Sequence, residues 1–310
     1  MVGDVVRYVL ARLWQGLLVV LGVTLVVFVV TRLVGNPVDL MLPLSASAEQ
    51  RAAFATQIGL DQPIPVQFAR FVADLATLDF GNSLWQRRPA ADVVFERLPN
   101  TAILIAAGLG VALVLAIPLG IVAATRPDGP LDRTIVGAGL LGLSMPQFWV
   151  GLILIYIFAV QLKWLPTSGA GTWWHLVLPA VTLGLAPLAR ITMLTRSAVI
   201  DELNKPYVKA ARAKGMPPRR VLGVHALRNV AIGILTLAGW ELILALSGYT
   251  VVVETVFAWP GLGLTAIQAL QRGDLFLVQA IVFVIAGLIV LINIALDLAF
   301  KLIDPRIDVR

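Results

Sequence analysis

The stretch KPYVKAARAKGMPPRRVLGVHALRN, Lys205 to Asn229, holds seven of the chain's 24 lysines and arginines and no acid. It separates two long apolar runs. Pro206 suits the first turn of a helix. Ala210, Ala211 and Ala213 are small helix formers, and Gly215 can end that helix in a left-handed cap. Met216-Pro217-Pro218 forces a turn, after which RRVLGVHALRN resumes as a second short helix. Small side chains on the first helix let another protein's backbone approach closely, and Lys209, Arg212 and Lys214 offer charge-assisted contacts to an acidic partner. Two other readings compete: a positive loop that only fixes membrane sidedness, or a seat for anionic lipid headgroups. Either would tolerate almost any arrangement of Lys and Arg. Neither requires an alanine pair, a glycine four residues after it and a helix–turn–helix, so the pattern favours protein docking.

The rest of the 310 residues decides the solvent in which that stretch sits. Mean hydropathy is +0.89. Only 14% of residues are charged, against about 25% in ordinary soluble domains. Several apolar runs reach the roughly 20 residues needed to cross a hydrocarbon core about 30 Å thick as a helix. Such a chain is a polytopic membrane protein. It contains no cysteine, which excludes disulfides, thiol nucleophiles and cysteine metal sites. The two histidines, His175 and His225, are too far apart in sequence to suggest a metal pair. The formal charge of +6 follows membrane sidedness and does not argue for nucleic acid.

Six helical spans are expected, at about Leu10–Val34, Thr101–Ala124, Ile135–Gln161, Leu176–Thr195, Val230–Val253 and Leu277–Phe300. An all-α architecture follows because an open chain in lipid satisfies its backbone only as helix. The apolar run Leu13–Val30 is longer than a signal-peptide core and reads as a retained first span. Pro179 and Pro187 are expected to kink the fourth span. Lys and Arg concentrate before the first span (Arg7, Arg12), between the second and third (Arg126, Arg133), between the fourth and fifth, and in the tail (Lys301, Arg306, Arg310). The opposite side has only Lys163 and Arg272 in its two short loops. The positive-inside rule then places both termini and the 201–229 segment in the cytoplasm. One long external insertion, residues 35–99, carries mixed stretches such as VQFARFVADLATLDF that read as amphipathic surface helices, and an insertion of this length is usually functional.

No phosphate-binding G-x-x-x-x-G-K-[ST] motif, dinucleotide fingerprint, G-x-S-x-G or H-E-x-x-H occurs. Any nucleotide site must therefore lie on another subunit, and by itself the chain does not read as an enzyme. The intramembrane polar residues are the internal candidates. Glu241 lies mid-span in LTLAGWELILALSGYT, where an ionised carboxylate is costly unless it faces protein or water. It either lines a polar pathway or bonds between helices. Ser247 lies in the same stretch. In GLSMPQFWVG, Pro146 breaks the helix beside Ser144 and Gln147, and such a break either lines a cavity or is a packing kink. Ser144, Gln147, Glu241 and Ser247 are the candidate path residues. Asn293 and Asp297 are better suited to interhelical bonding.

At KAARAKG the sequence resembles the E-A-A-x-x-x-G loop of ABC-importer permeases, and YVKAARAKGMPPRRVLGVHALRN is similar to their dipeptide/oligopeptide/nickel branch. The resemblance covers nearly the whole chain. It takes in GLDQPIPVQF, DFGNSL and ERLPNT in the long insertion, LDRTIVGAGLLGLSMPQFWVGL and WLPTSG around the third span, VVVETVFAWPGLG after the fifth, and DLFLVQA and DPRI near the end. It implies a type I importer permease fold: one transmembrane permease domain over residues 1–310, with a five-helix core over 100–300. It implies that the 201–229 loop holds a coupling helix set in a cleft of a cytoplasmic ATP-binding subunit. The residues for that contact are Tyr207, Lys209, Ala210, Ala211, Arg212, Lys214 and Gly215. It also implies a second homologous permease, two ATP-binding subunits carrying the ATP and magnesium, and a solute-binding protein on the outer face of the inner membrane. Asp79, Glu254 and Trp259 are candidates for external docking or a gate.

Three positions depart from the family pattern. Lys209 stands where the motif has Glu, although a basic residue is usual there in the peptide branch. Gly233 in NVAIG replaces the proline of N-x-x-I-P, and Trp240-Glu241 is bulkier and more charged than expected. The resemblance implies import of di- or oligopeptides, with nickel chelate, glutathione or haem as alternative cargoes. A stand-alone secondary transporter using Glu241 as a proton site, an exporter, and a membrane anchor of an enzyme complex are the competing classes.

Overall fold

The computed structural model describes residues 2–33, 38, 42, 45–57, 59–217, 220, 223 and 227–303. The second short helix expected over Arg219 to Asn229 lies largely outside them, as does the DPRI segment. The chain divides into two compact units, residues 1–100 with 261–294 and residues 101–260 with 295–310.

In the first unit, α1 (Val2–Leu33) is the first span, and the long insertion contributes α2 (Ala48–Gln57) and α3 (Ile64–Ala76). Phe68 and Phe71 on one side of α3 meet Phe28 of α1, with ring centroids 5.1 and 5.7 Å apart. The amphipathic reading of VQFARFVADLATLDF is thereby satisfied. A two-residue hairpin was not expected: β1 (Asn82–Ser83) pairs antiparallel with β2 (Arg88–Pro89). It feeds directly into α4 (Ala90–Thr125). A buried apolar cluster joins Leu75, Phe80, Val93 and Val94 to Leu262 and Ala269 of α11 (Leu262–Gln271) and to Leu277 and Ile281 of α12 (Leu275–Ile303).

The second unit begins at Thr101 of α4 and adds α5 (Pro130–Ser144), α6 (Gln147–Leu154), α7 (Trp174–Leu203), α8 (Pro206–Ala213), α9 (Leu227–Leu244) and α10 (Thr250–Val256). The third span is two helices bent by 105°. Pro146 lacks an N–H and pushes Met145 out of the helical region, to φ −89 and ψ 131. A π-helical turn, Ile155–Gln161, completes that span, and a second one, Ala245–Tyr249, joins α9 to α10. By contrast, α7 continues as helix through both Pro179 and Pro187.

Among the described residues five helices are long and apolar enough to cross a membrane, or six if the bent pair is one span. Within the second unit α7 is central. More than half of its most apolar window, 56%, is buried, against 28% for α4. Hydrocarbon-facing Leu and Val need no such cover.

The direction in which neighbours run past α7 can be read from paired contacts. Gly108 and Gly120 of α4 meet Gly184 and Thr192 of α7 respectively, so α4 and α7 run the same way. A Cβ on Gly184 would stand 2.5 Å from the Gly108 carbonyl oxygen, so only glycine permits this approach. Asp132 of α5 meets Arg196, while Gly142 faces Leu185, so α5 runs the opposite way. Glu241 and Asn229 of α9 meet Arg190 and Glu202, so α9 is also antiparallel to α7. Alternate spans crossing in opposite directions require this pattern.

Candidate functional site

The basic helix anticipated from the sequence is α8, and its local chemistry follows the sequence reading closely. Pro206 opens it. Gly215 takes φ +75 after its last turn, and the Met216 N–H reaches back to the Ala211 carbonyl at 3.2 Å. That long reverse bond around a left-handed glycine is the Schellman ending. The helix is two-sided. Val208 is fully buried and Ala211 half-buried, while Lys209, Ala210, Ala213 and Lys214 are exposed. Two alanines flanked by two lysines therefore face outward. A Cβ on Gly215 would meet open space.

What fastens α8 was not visible in the sequence. Glu202, in the last turn of α7, is only 5% exposed, and its carboxylate collects donors from three segments. Tyr207 of α8 donates its hydroxyl to Oε1. Asn229 of α9 donates Nδ2 to the same oxygen at 2.8 Å and to the Tyr207 hydroxyl oxygen at 3.1 Å. Lys205 Nζ lies 2.7 Å from Oε2. The hydrogen bond to Glu202 raises the Lys205 pKa above its ordinary value. Burial, and then the bond to Glu202, raises that of the Tyr207 phenol. Both shifts favour the protonated donors.

Glu202 is the last of three polar ties on α7. Arg190, Arg196 and Glu202 are spaced six residues apart, which turns each about 240° from the one before, so three faces are used. Arg190 is ion-paired to Glu241 of α9 through Nε and, at 2.7 Å, through Nη2. Arg196 holds Asp132 of α5 by two bonds of 2.5 Å. Of the two readings of Glu241, the structure places its carboxylate in an interhelical pair, 1% exposed.

The other anticipated residues are dispersed. The Ser144 and Ser247 hydroxyls donate to the carbonyls of Leu140 and Ile243 in their own helices, both at 2.8 Å. The Gln147 side-chain nitrogen is buried just past the Pro146 break, without a hydrogen-bond partner among the described residues. Asp79 caps the Gly81 N–H at 3.0 Å and is exposed. Glu254 and Trp259, expected at an external docking face or gate, are interior, at 0% and 5% exposure. Glu254 accepts the Thr101 hydroxyl at 2.7 Å, so its carboxylate serves the fold and offers no surface for docking. The Arg212 side chain lies outside the described residues.

The short motifs quoted from the sequence turn out to be bonded to one another. Within the first unit, Ser83 of DFGNSL donates to Asp274 of DLFLVQA at 2.5 Å, and Trp85 N–H reaches the same oxygen at 3.1 Å. Within the second, Thr101 of ERLPNT meets Glu254 of VVVETVF, while Asp132 of LDRT meets Arg196 of α7, outside those motifs.

Known proteins resemble this chain over most of its length. Residues 116–309 match the family described as binding-protein-dependent transport system inner membrane component. The chain is 35% identical to the oligopeptide transport system permease protein AppB of Bacillus subtilis, over 97% of this chain and 99% of that protein. It is 36% identical to the di/tripeptide transport system permease protein DppB of Pseudomonas aeruginosa, over 92% and 94%. It is also 36% identical to the glutathione transport system permease protein GsiC of Salmonella paratyphi A, over 97% and 98%. Among solved structures, a chain of the MetNI methionine ABC transporter, described as inward facing, superposes with a TM-score of 0.56 at 20% identity. That superposition covers 68% of this chain and 96% of that one, a likeness of fold.

Proposed function

The chain belongs to the family of inner membrane components of binding-protein-dependent transport systems, and from that premise we propose that it is a permease subunit of an ATP-driven importer of di- or oligopeptides. Such a subunit is a membrane component, and its family name implies a binding protein and energy-supplying partners. In the finer reading, both termini and α8 lie on the cytoplasmic side. An ATP-binding subunit seats α8 in a cleft, a second homologous permease completes the path, and a solute-binding protein delivers cargo from outside. ATP, magnesium and the hydrolytic chemistry belong to the partner ATPases.

One observation carries the reading: α8 turns two alanines and two lysines outward and ends on a left-handed glycine. A helix held on the buried Val208 with a smooth basic face outward is shaped to be pressed into an acidic cleft. The test is reconstitution of the assembled complex with its ATPases, binding protein and second permease. Labelled di- and tripeptides should be taken up only with ATP and the binding protein. pH-driven uptake by this chain alone would overturn the reading in favour of a secondary transporter. Glutathione is the second cargo to test, because the GsiC likeness is as high as the peptide ones. Preference for glutathione over unmodified peptides would reassign the cargo and leave the mechanism standing.

A further inference from the structure

Resting on α8 as the ATPase contact, we propose that Glu202 and Asn229 are positioning residues that make α9 move together with α7 when α8 is pushed. The argument starts from connectivity. Only Asn204 and Lys205 separate α7 from α8, so any displacement of α8 is passed to α7 through the chain. The covalent route from α8 to α9 instead runs through thirteen residues, 214–226. The polar node replaces that detour with single hydrogen bonds: Asn229, in the first turn of α9, donates to both Glu202 and Tyr207. A triangle of three mutually bonded groups resists shear in a way that one bond cannot, because each vertex is fixed by the other two.

Burial strengthens the device. Glu202 is the least exposed member, and its carboxylate takes three donors from protein. Leaving one side unpartnered in such a place is costly. The apolar seat beneath is shared by the same helices: Val199 of α7 and Val230 and Ile234 of α9 are buried in one cluster. Polar ties above and apolar contact below give α7 and α9 one common end. Farther along, the Arg190–Glu241 pair fastens the same two helices twelve residues from Glu202. The two helices are thus tied at both positions and would tilt as one body.

The test uses the assembled importer in proteoliposomes and measures peptide uptake per ATP hydrolysed, with retention of the ATPase subunits during purification as a separate readout. Asn229→Ala removes both bonds to α9, and Asn229→Asp sets a second carboxylate against Glu202. Both should lower uptake per ATP by about threefold to tenfold, while ATPase retention stays at the native level. Asn229→Gln, which keeps an amide donor, should recover part of the ratio. If uptake and hydrolysis instead fall together with the amount of complex, the node is merely structural and the proposal is wrong. A native ratio in both disruptive variants also overturns it. Charge reversal at Lys214 is the separate control for the contact itself. If it leaves ATPase retention unchanged, α8 is not the docking element, and the proposal falls with that reading.

Discussion

Removing the Glu241 carboxylate should destabilise the second unit strongly, because this is a buried ion pair between two spans. Glu241 has no exposed side-chain surface, whereas the Arg190 side chain keeps 31%. Two charge-assisted hydrogen bonds join them. Breaking one partner of a buried pair typically costs about 3–5 kcal/mol. Partial hydration of Arg190 moves the expectation to the lower end, about 3 kcal/mol for Glu241→Gln. The assay is reversible unfolding in mixed micelles followed by tryptophan fluorescence, which the chain's eight tryptophans supply. The compensating variant is R190M/E241L, which replaces both charges by apolar side chains. It should recover to within about 1–2 kcal/mol of the native chain, because buried pairs rarely exceed their hydrophobic replacements. Two results would refute the reasoning: a Glu241→Gln effect below about 0.5 kcal/mol, the range of an indifferent substitution, or a double variant as unstable as the sum of its singles.

Other expectations follow from named contacts. Gly120→Val should lower stability by about 1–3 kcal/mol, since a Cβ there meets the Thr195 Cβ at 2.6 Å and the Thr192 carbonyl at 2.7 Å. Gly110→Val, on the same helix with open space around it, should be tolerated, and thermal melting in detergent compares the two. Asp274→Ala removes the acceptor for Ser83, Trp85 and the Leu277 N–H that begins α12. Limited proteolysis should then open the hairpin at residues 82–89 in the variant and not in the native protein. Gly215→Leu meets no steric obstacle but must adopt φ +75, at a cost of about 1–2 kcal/mol. It should reduce ATP-dependent uptake while membrane insertion, followed by blotting of membrane fractions, is unchanged.

Local chemistry was readable where a single residue dictates backbone geometry. Pro146 broke the third span, Pro206 opened α8 and Gly215 closed it, each by a rule that needs no partner. In α7 Pro179 and Pro187 do not end the helix: both are buried, and the surrounding protein holds the helix through both. The hairpin at 82–89 escaped notice because two-residue strands carry no periodicity, and what fixes it is Asp274, 191 residues from Ser83. Glu202 was likewise invisible as a hub: its partners include Asn229, 27 residues on, and sequence gave only an acid beside a basic run. Glu254, a candidate for external docking or a gate, is likewise held by a distant partner, the Thr101 hydroxyl, that its own motif does not show. Polar residues that recur in short motifs here are mostly structural partners of other motifs, a relation that one linear sequence does not display.

The central claim, that energy enters this chain at α8, is tested most directly by site-specific photocrosslinking. Ala210 is exposed on the outward face and carries nothing that its replacement would remove. A photoreactive amino acid at that position, irradiated in the assembled importer, should join this chain to an ATP-binding subunit. The same label at Leu115 of α4, which is 47% exposed within a span, should capture no ATPase. Crosslinks from position 210 to lipid alone, with the ATPase captured elsewhere or not at all, would contradict the account.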